Sequence, residues 1–172
     1  MKCKSLCLAV LLAGLAGPAL AQTPVSGTIK CPKSDDSKTV DVRDQAGHVL
    51  ILEKGSCSWS VPSEIAGLKS TAYTGADTVE VAGAKSQARG YAVMTMDNGD
   101  KAYARFQGTG TTTKEGTLTG EGTWSYTGGT GKLKGLKGKG TYKISGTPDA
   151  GSEAQLEGEY SLPEPSATAN KK

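Results

Sequence analysis

From residue 101 to residue 162 the chain alternates with a period of two, and few folds other than strands can use such a pattern. In LKGKGTYKIS, at 136–145, the even positions hold Leu136, Gly138, Gly140, Tyr142 and Ile144, and the odd ones hold Lys137, Lys139, Thr141, Lys143 and Ser145. Successive side chains of a strand point to opposite faces, so the lysines share a solvated face and the apolar residues face a core. TLTGEGTWSY repeats the pattern upstream with Leu118, Gly120, Gly122, Trp124 and Tyr126 inward. SEAQLEGEYSL repeats it downstream with Ala154, Leu156, Gly158, Tyr160 and Leu162, and KAYARFQGTG adds Ala102, Ala104, Phe106, Gly108 and Gly110.

TGEGTWSY and KGKGTYKI align as G-x-G-T-aromatic, which suits successive strands of an antiparallel meander. Asn98-Gly99 marks a hairpin turn between YAVMTM and KAYARF, and SGTPDAG marks another. A turn centred near Pro148 places Lys143 opposite Glu153, Lys139 opposite Glu157 and Lys137 opposite Glu159, where opposite charges help fix register. Earlier in the chain, HVLILEK and SCSWSV read as strands around Gly55, Pro62-Ser63-Glu64 as the start of a helical turn, and STAYTGADTVEVAG and QARGYAVMTM as two more strands. This amounts to about eight strands and predicts an all-β fold, a single antiparallel eight-stranded β-barrel without unpaired edges, with a two-sheet β-sandwich as the alternative.

Residues 1–21 carry Lys2 and Lys4, an apolar run and Ala19-Leu20-Ala21, the build of a secretory signal peptide cleaved after Ala21. The barrel domain is then expected over 22–162, with a disordered tail from Pro163, and the mature protein in the periplasm or secreted, without membrane insertion. Two cysteines stay in the mature chain, Cys31 and Cys57; in an oxidising compartment they predict one disulfide, since their spacing fits no C-x-x-C redox pair. Loss of Lys2 and Lys4 leaves basic and acidic residues almost balanced, which argues against a nucleic-acid binder.

GGTGKLKGLKGKGTYK, at 128–143, looks like a phosphate loop and fails as one. Aligning Gly131-Lys132 to G-x-x-x-x-G-K-[ST] puts Tyr126 at the first glycine and Leu133 at the hydroxyl, and Lys134 occupies the last glycine of a dinucleotide fingerprint. His48 is the only histidine, so no multi-histidine metal site can form within one chain, and an exposed or capping role is expected for it. No cofactor is implied. Arg89, Arg105, Tyr91 and Tyr103 are the polar candidates for a barrel mouth, although Arg105 and Tyr103 have outward parity.

TWSYTGGTGKLKGLKGKGTYK resembles the signature hairpin of the allene oxide cyclase-like superfamily of barrels, which includes the plant dirigent proteins, and the D-N-G-D hairpin at 97–100 is similar to that of small bacterial exported members. The matching residues are Gly128, Gly129, Thr130, Gly131, Leu133, Gly135 and Gly138. The resemblance implies an eight-stranded barrel with an apolar cavity and, in some relatives, control of cyclisation or radical coupling; dimers and trimers occur among such barrels, so a homo-oligomer is open. No catalytic position carries over.

The expected function is binding of a small apolar molecule inside the barrel, with Phe106, Trp124, Tyr126, Leu136, Tyr142 and Tyr160 as inward candidates. Gly120, Gly122, Gly138, Gly140 and Gly158 either create room there or permit strand coiling. An isomerase or cyclase would need a polar group inside, and an envelope interaction module would need a sealed interior.

Overall fold

A computed structural model describes residues 22–34, 36–147 and 149–164; the expected signal peptide at 1–21 and the expected tail beyond residue 164 lie outside the described residues. The strands are β1 (Thr23–Cys31), β2 (Asp36–Asp41), β3 (His48–Val61), β4 (Glu64–Ile65), β5 (Leu68–Ala82), β6 (Lys85–Met96), β7 (Lys101–Thr112), β8 (Leu118–Gly129), β9 (Lys137–Thr147) and β10 (Gly151–Ser161). Neighbours pair antiparallel in the order β1-β10-β9-β8-β7-β6-β5, and β3 joins β5 to β1, so eight strands close into the expected barrel. Two short strands lie outside that ring: β2 extends β3 into a hairpin, and β4 folds back on β5.

The inward parity holds around the ring, with even residues facing in on β6 to β10 and odd residues on β1, β3 and the part of β5 beyond its bulge. Lys137, Lys139 and Lys143 are exposed on the outer face. Inside, aromatic side chains lie on glycines in register with them. Trp124 pairs with Gly140, which pairs with Gly158; a Cβ at either glycine would collide with the indole ring and the backbone of the next strand. Tyr142 lies over Gly122 and Gly108 in the same way, and Tyr126 over Gly138. The glycines thus permit close strand approach and seat the rings, which is why the G-x-G-T-aromatic repeat recurs in successive strands.

Residues between 96 and 101 and between 129 and 137 close one end of the barrel. Leu133 sits on a single 3-10 turn, Gly131–Leu133, and is fully buried with Leu136, Ile65 and Met96. The Asp100 carboxylate accepts the Lys132 N–H at 3.0 Å, and the Thr130 hydroxyl accepts the Lys101 N–H at 2.8 Å, so the D-N-G-D hairpin and the GGTG segment lock together. Gly131 has φ +52° with the Asp100 carboxylate where a Cβ would stand, so this position requires glycine.

Four sequence expectations change. The β9–β10 turn is centred on residue 149, because Thr147 pairs with Gly151 at φ +89°; this moves each partner by two, so that Lys143 faces Gln155, Thr141 faces Glu157, Lys139 faces Glu159 and Lys137 faces Ser161. A shift of two preserves the faces and changes only the charge pairs; Glu153 instead meets Lys30 at 3.5 Å. Residues 62–64 start no helical turn: Ala66 and Gly67, at φ +53° and +76°, make the two-residue turn of the β4–β5 hairpin. HVLILEK and SCSWSV are one strand that passes through Gly55. Gly128 and Gly129 belong to β8, so the GGTG turn begins only after them.

Cys31 and Cys57 are disulfide-bonded across the β1–β3 seam. That seam has only three register pairs and a bulge between Thr28 and Ile29, so the covalent link falls where the ladder of the eight-stranded ring is shortest. A bridge of this kind contributes roughly 2–4 kcal/mol.

The glycine contacts predict a contrast. Gly140→Ala should cost about 1–3 kcal/mol in denaturant unfolding through overpacking. Gly55→Ala should be neutral or slightly stabilising, because no atom lies within 4 Å of the position that the new methyl would take. Equal losses for the two variants would contradict the packing described.

Candidate functional site

The end opposite the buried leucines is open. Around it run the turns that join β5 to β6, β7 to β8 and β9 to β10, and below them is a cavity of about 500 Å³. Its walls are mainly apolar: Ile29, Ile51, Val79, Phe106, Trp124 and Leu156 among others. Space arises where inward positions are small, at Gly55, Gly75, Ala88, Ala92 and Ala104 on β3, β5, β6 and β7. Gly120, Gly122, Gly138, Gly140 and Gly158 do not line it, so of the two roles considered for these glycines the structure assigns coiling and ring seating.

Of the six inward candidates, the structure brings four to the cavity: Phe106, Trp124, Tyr126 and Tyr142. Phe106 and Tyr142 meet edge to face at 6.3 Å, Trp124 and Tyr126 pack at 4.8 Å, and the Trp124 indole N–H donates to the Thr141 carbonyl at 3.1 Å. Leu136 and Tyr160 are buried in the core towards the closed end, and the Tyr160 hydroxyl accepts the Ala66 N–H at 2.8 Å. The polar candidates fall elsewhere. Arg89, Arg105 and Tyr91 are exposed and Tyr103 is half-buried, and none of the four lines the cavity. Outward parity explains all four, and Arg105 donates to the Ser125 hydroxyl on the barrel surface.

The acidic groups that face the cavity are Glu53 and Asp77, which sequence reasoning missed. They are in-register partners on β3 and β5. The signal was available, since Asp77 shares the parity of Tyr73, Val79 and Val81, and Glu53 that of Ile51. Gly90 on β6 faces Asp77 from the other side and would collide with it if it carried a Cβ. Among the described residues neither carboxylate has an ion-pair partner. Burial, reinforced by the Glu53 charge, pushes the Asp77 carboxyl up to about 7. Burial raises Glu53 as well. Tyr142 is pushed up to about 12 by burial and by Asp77, and Tyr73 is raised by burial, Asp77 and Tyr142. These shifts describe one coupled polar patch, able to hold or release a proton near neutral pH inside an apolar chamber.

His48 lies outside this patch. Its Nδ1 is 2.6 Å from Asp44 and its Nε2 is 3.0 Å from Glu80, so it ties the β2–β3 loop to β5 instead of standing free. The hydrogen bonds to Asp44 and then Glu80 raise its pKa. Among the described residues no cluster of three metal-ligating side chains occurs, and no helix is long and apolar enough to cross a membrane.

Comparison with known proteins finds no matching protein family and no matching curated protein. Among solved structures, the chain is similar to a pterocarpan synthase dirigent protein, at 9% identity over 91% of this chain and 98% of that one, with a TM-score of 0.49. It is also similar to a pyocyanin demethylase, at 20% identity over 77% of this chain and 98% of that one, with a TM-score of 0.40. At these identities neither transfers a ligand, a reaction or a residue role.

A raised carboxyl pKa has a definite sign in stability. The folded state keeps the Asp77 proton up to about 7 while the unfolded chain releases it near the ordinary value of 3.8, so this contribution is present at low pH and is lost as pH rises through that window. His48 adds a loss of the same sign at the upper end, above its unfolded value of 6.5. Asp77→Asn should therefore raise the melting temperature at pH 8, change it little at about pH 3, below the unfolded value, and flatten the wild-type pH profile between them. Thermal melts across that range check this; a variant less stable than wild type at pH 8 would contradict the site as described.

Proposed function

We propose that the chain is a small exported barrel of the allene oxide cyclase-like and dirigent-like group, and that it binds a small, mainly apolar molecule in its open end. The observation that carries this reading is the 500 Å³ cavity, walled by aliphatic and aromatic side chains and closed at its far end by Leu133 and Leu136. A pocket of this size and lining suits a single small ligand. The residues Gly128 to Gly131, Leu133, Gly135 and Gly138 support the group assignment, because they build the hairpin that resembles it. The Cys31–Cys57 bond is in keeping with an oxidising compartment, and the leader-like segment at 1–21 with export.

Asp77 favours a second reading, an isomerase or cyclase acting on an apolar substrate, because a carboxyl titrating near neutral pH is suited to moving a proton within a bound molecule. An interaction module with a sealed interior fits an open cavity less well.

Binding of the neutral fluorophore N-phenyl-1-naphthylamine provides the test. The wild type should bind it with saturable, blue-shifted emission, and Ala88→Phe, which fills the cavity wall between Val79 and Gly108, should weaken binding about tenfold or more while leaving the fold intact by circular dichroism. Equal affinity in the two proteins would place the probe outside the barrel and defeat the reading. Native mass spectrometry of protein taken from its own periplasm should in addition show a co-purifying small molecule.

A further inference from the structure

The cavity contains two carboxylates and, among the described residues, no protein cation that balances them. Glu53 and Asp77 face each other across β3 and β5, and both line the chamber. Lys33 and Lys85 also border it, but Lys33 pairs with Asp149 and neither meets the two acids. The neighbours that face Asp77 are Glu53 on β3, Tyr73 on its own strand, Gly90 on β6 and Tyr142 on β9, so every titratable group around it is acidic. The Tyr73 and Tyr142 hydroxyls have no hydrogen-bond partner among the described residues, and both are weak acids raised by burial and then by the Asp77 charge.

A buried charge in such a setting is costly unless something of opposite sign accompanies it. A divalent metal is poorly served, since hard cations take six or more oxygen ligands and, among the described residues, no third carboxylate, histidine or cysteine joins the pair. An anionic ligand would be repelled. A neutral one gives no compensation beyond protonation of the pair itself. The walls themselves favour the remaining class, because Tyr73, Phe106, Trp124, Tyr126 and Tyr142 bring five aromatic rings to the same chamber, and aromatic faces attract cations of low hydration such as substituted ammonium groups.

We propose that the chamber selects a lipophilic organic monocation, an ammonium carried on an apolar body, held between the Glu53–Asp77 pair and the aromatic wall. This rests on the reading of the barrel as a small-molecule binder and narrows it to one charge class. A cation bound there competes with the proton on Asp77, so its affinity rises with pH across the range in which Asp77 ionises.

A pair of isosteric probes separates the inference from the reading beneath it: (1-naphthylmethyl)trimethylammonium, and the neutral 1-(2,2-dimethylpropyl)naphthalene, in which carbon replaces the charged nitrogen. Titrated into the full mature protein at pH 8, the cation is expected to bind about tenfold or more tightly than its neutral isostere. That preference, read as the ratio of the two affinities in each protein, should disappear at pH 5 and in the Asp77→Asn and Glu53→Gln double variant; Asp77→Asn alone and Glu53→Gln alone provide the check should the double variant melt early. Equal binding of the two probes at pH 8 would overturn the charge selection and leave the binding reading in place. Binding of neither would overturn both.

Discussion

An aromatic ring laid on in-register glycines is the contact on which this barrel depends. Trp124 on Gly140 and Gly158, Tyr142 on Gly122 and Gly108, and Tyr126 on Gly138 fill the interior along β7 to β10 and let those strands approach closely. Without the glycines the rings would have no seat, and without the rings the glycines would leave voids between strongly coiled strands. On the other strands one comparable contact occurs, Trp59 beside Gly27, while β3, β5 and β6 present the small residues Gly55, Gly75, Ala88 and Ala92 to the cavity. A packed half and a hollow half therefore follow from where the large residues were placed.

Much of this is legible in the pattern, and the failures have physical causes. Period-two alternation sets the inward face on every strand from Lys101 to Ser161, and the structure keeps it. Register is a weaker signal, because it depends on turn geometry: one residue of difference in the β9–β10 turn centre moves Lys143 from Glu153 to Gln155 without altering either face. β1 escapes the sequence reading although Val25, Gly27, Ile29 and Cys31 alternate inward, since a nine-residue strand offers few periods to count. The acids of the site are missed for a different reason. Charged residues are read as solvated by default, which favours Arg89, Arg105, Tyr91 and Tyr103 at the mouth, whose parity is outward, while Glu53 and Asp77 carry inward parity within otherwise apolar strands.

Those two acids are where the structure departs from the demands of folding alone. Apolar residues at 53 and 77 would pack the hollow half better than carboxylates that must remain partly desolvated. Their position, in register with each other and with Gly90 leaving space beside Asp77, couples them to the open cavity of the barrel. Stability given up at one row of the barrel is in keeping with a site used for binding or proton transfer.

Most open to experiment is the placement of Asp77 beside Glu53, facing an apolar chamber and not solvent. Carbon-13 NMR of the side-chain carboxyls, assigned through Asp77→Asn, measures this directly. An Asp77 titration midpoint of about 7, perturbed when Glu53 is replaced by glutamine, is the expected result. A midpoint near the ordinary 3.8, insensitive to Glu53, would contradict it.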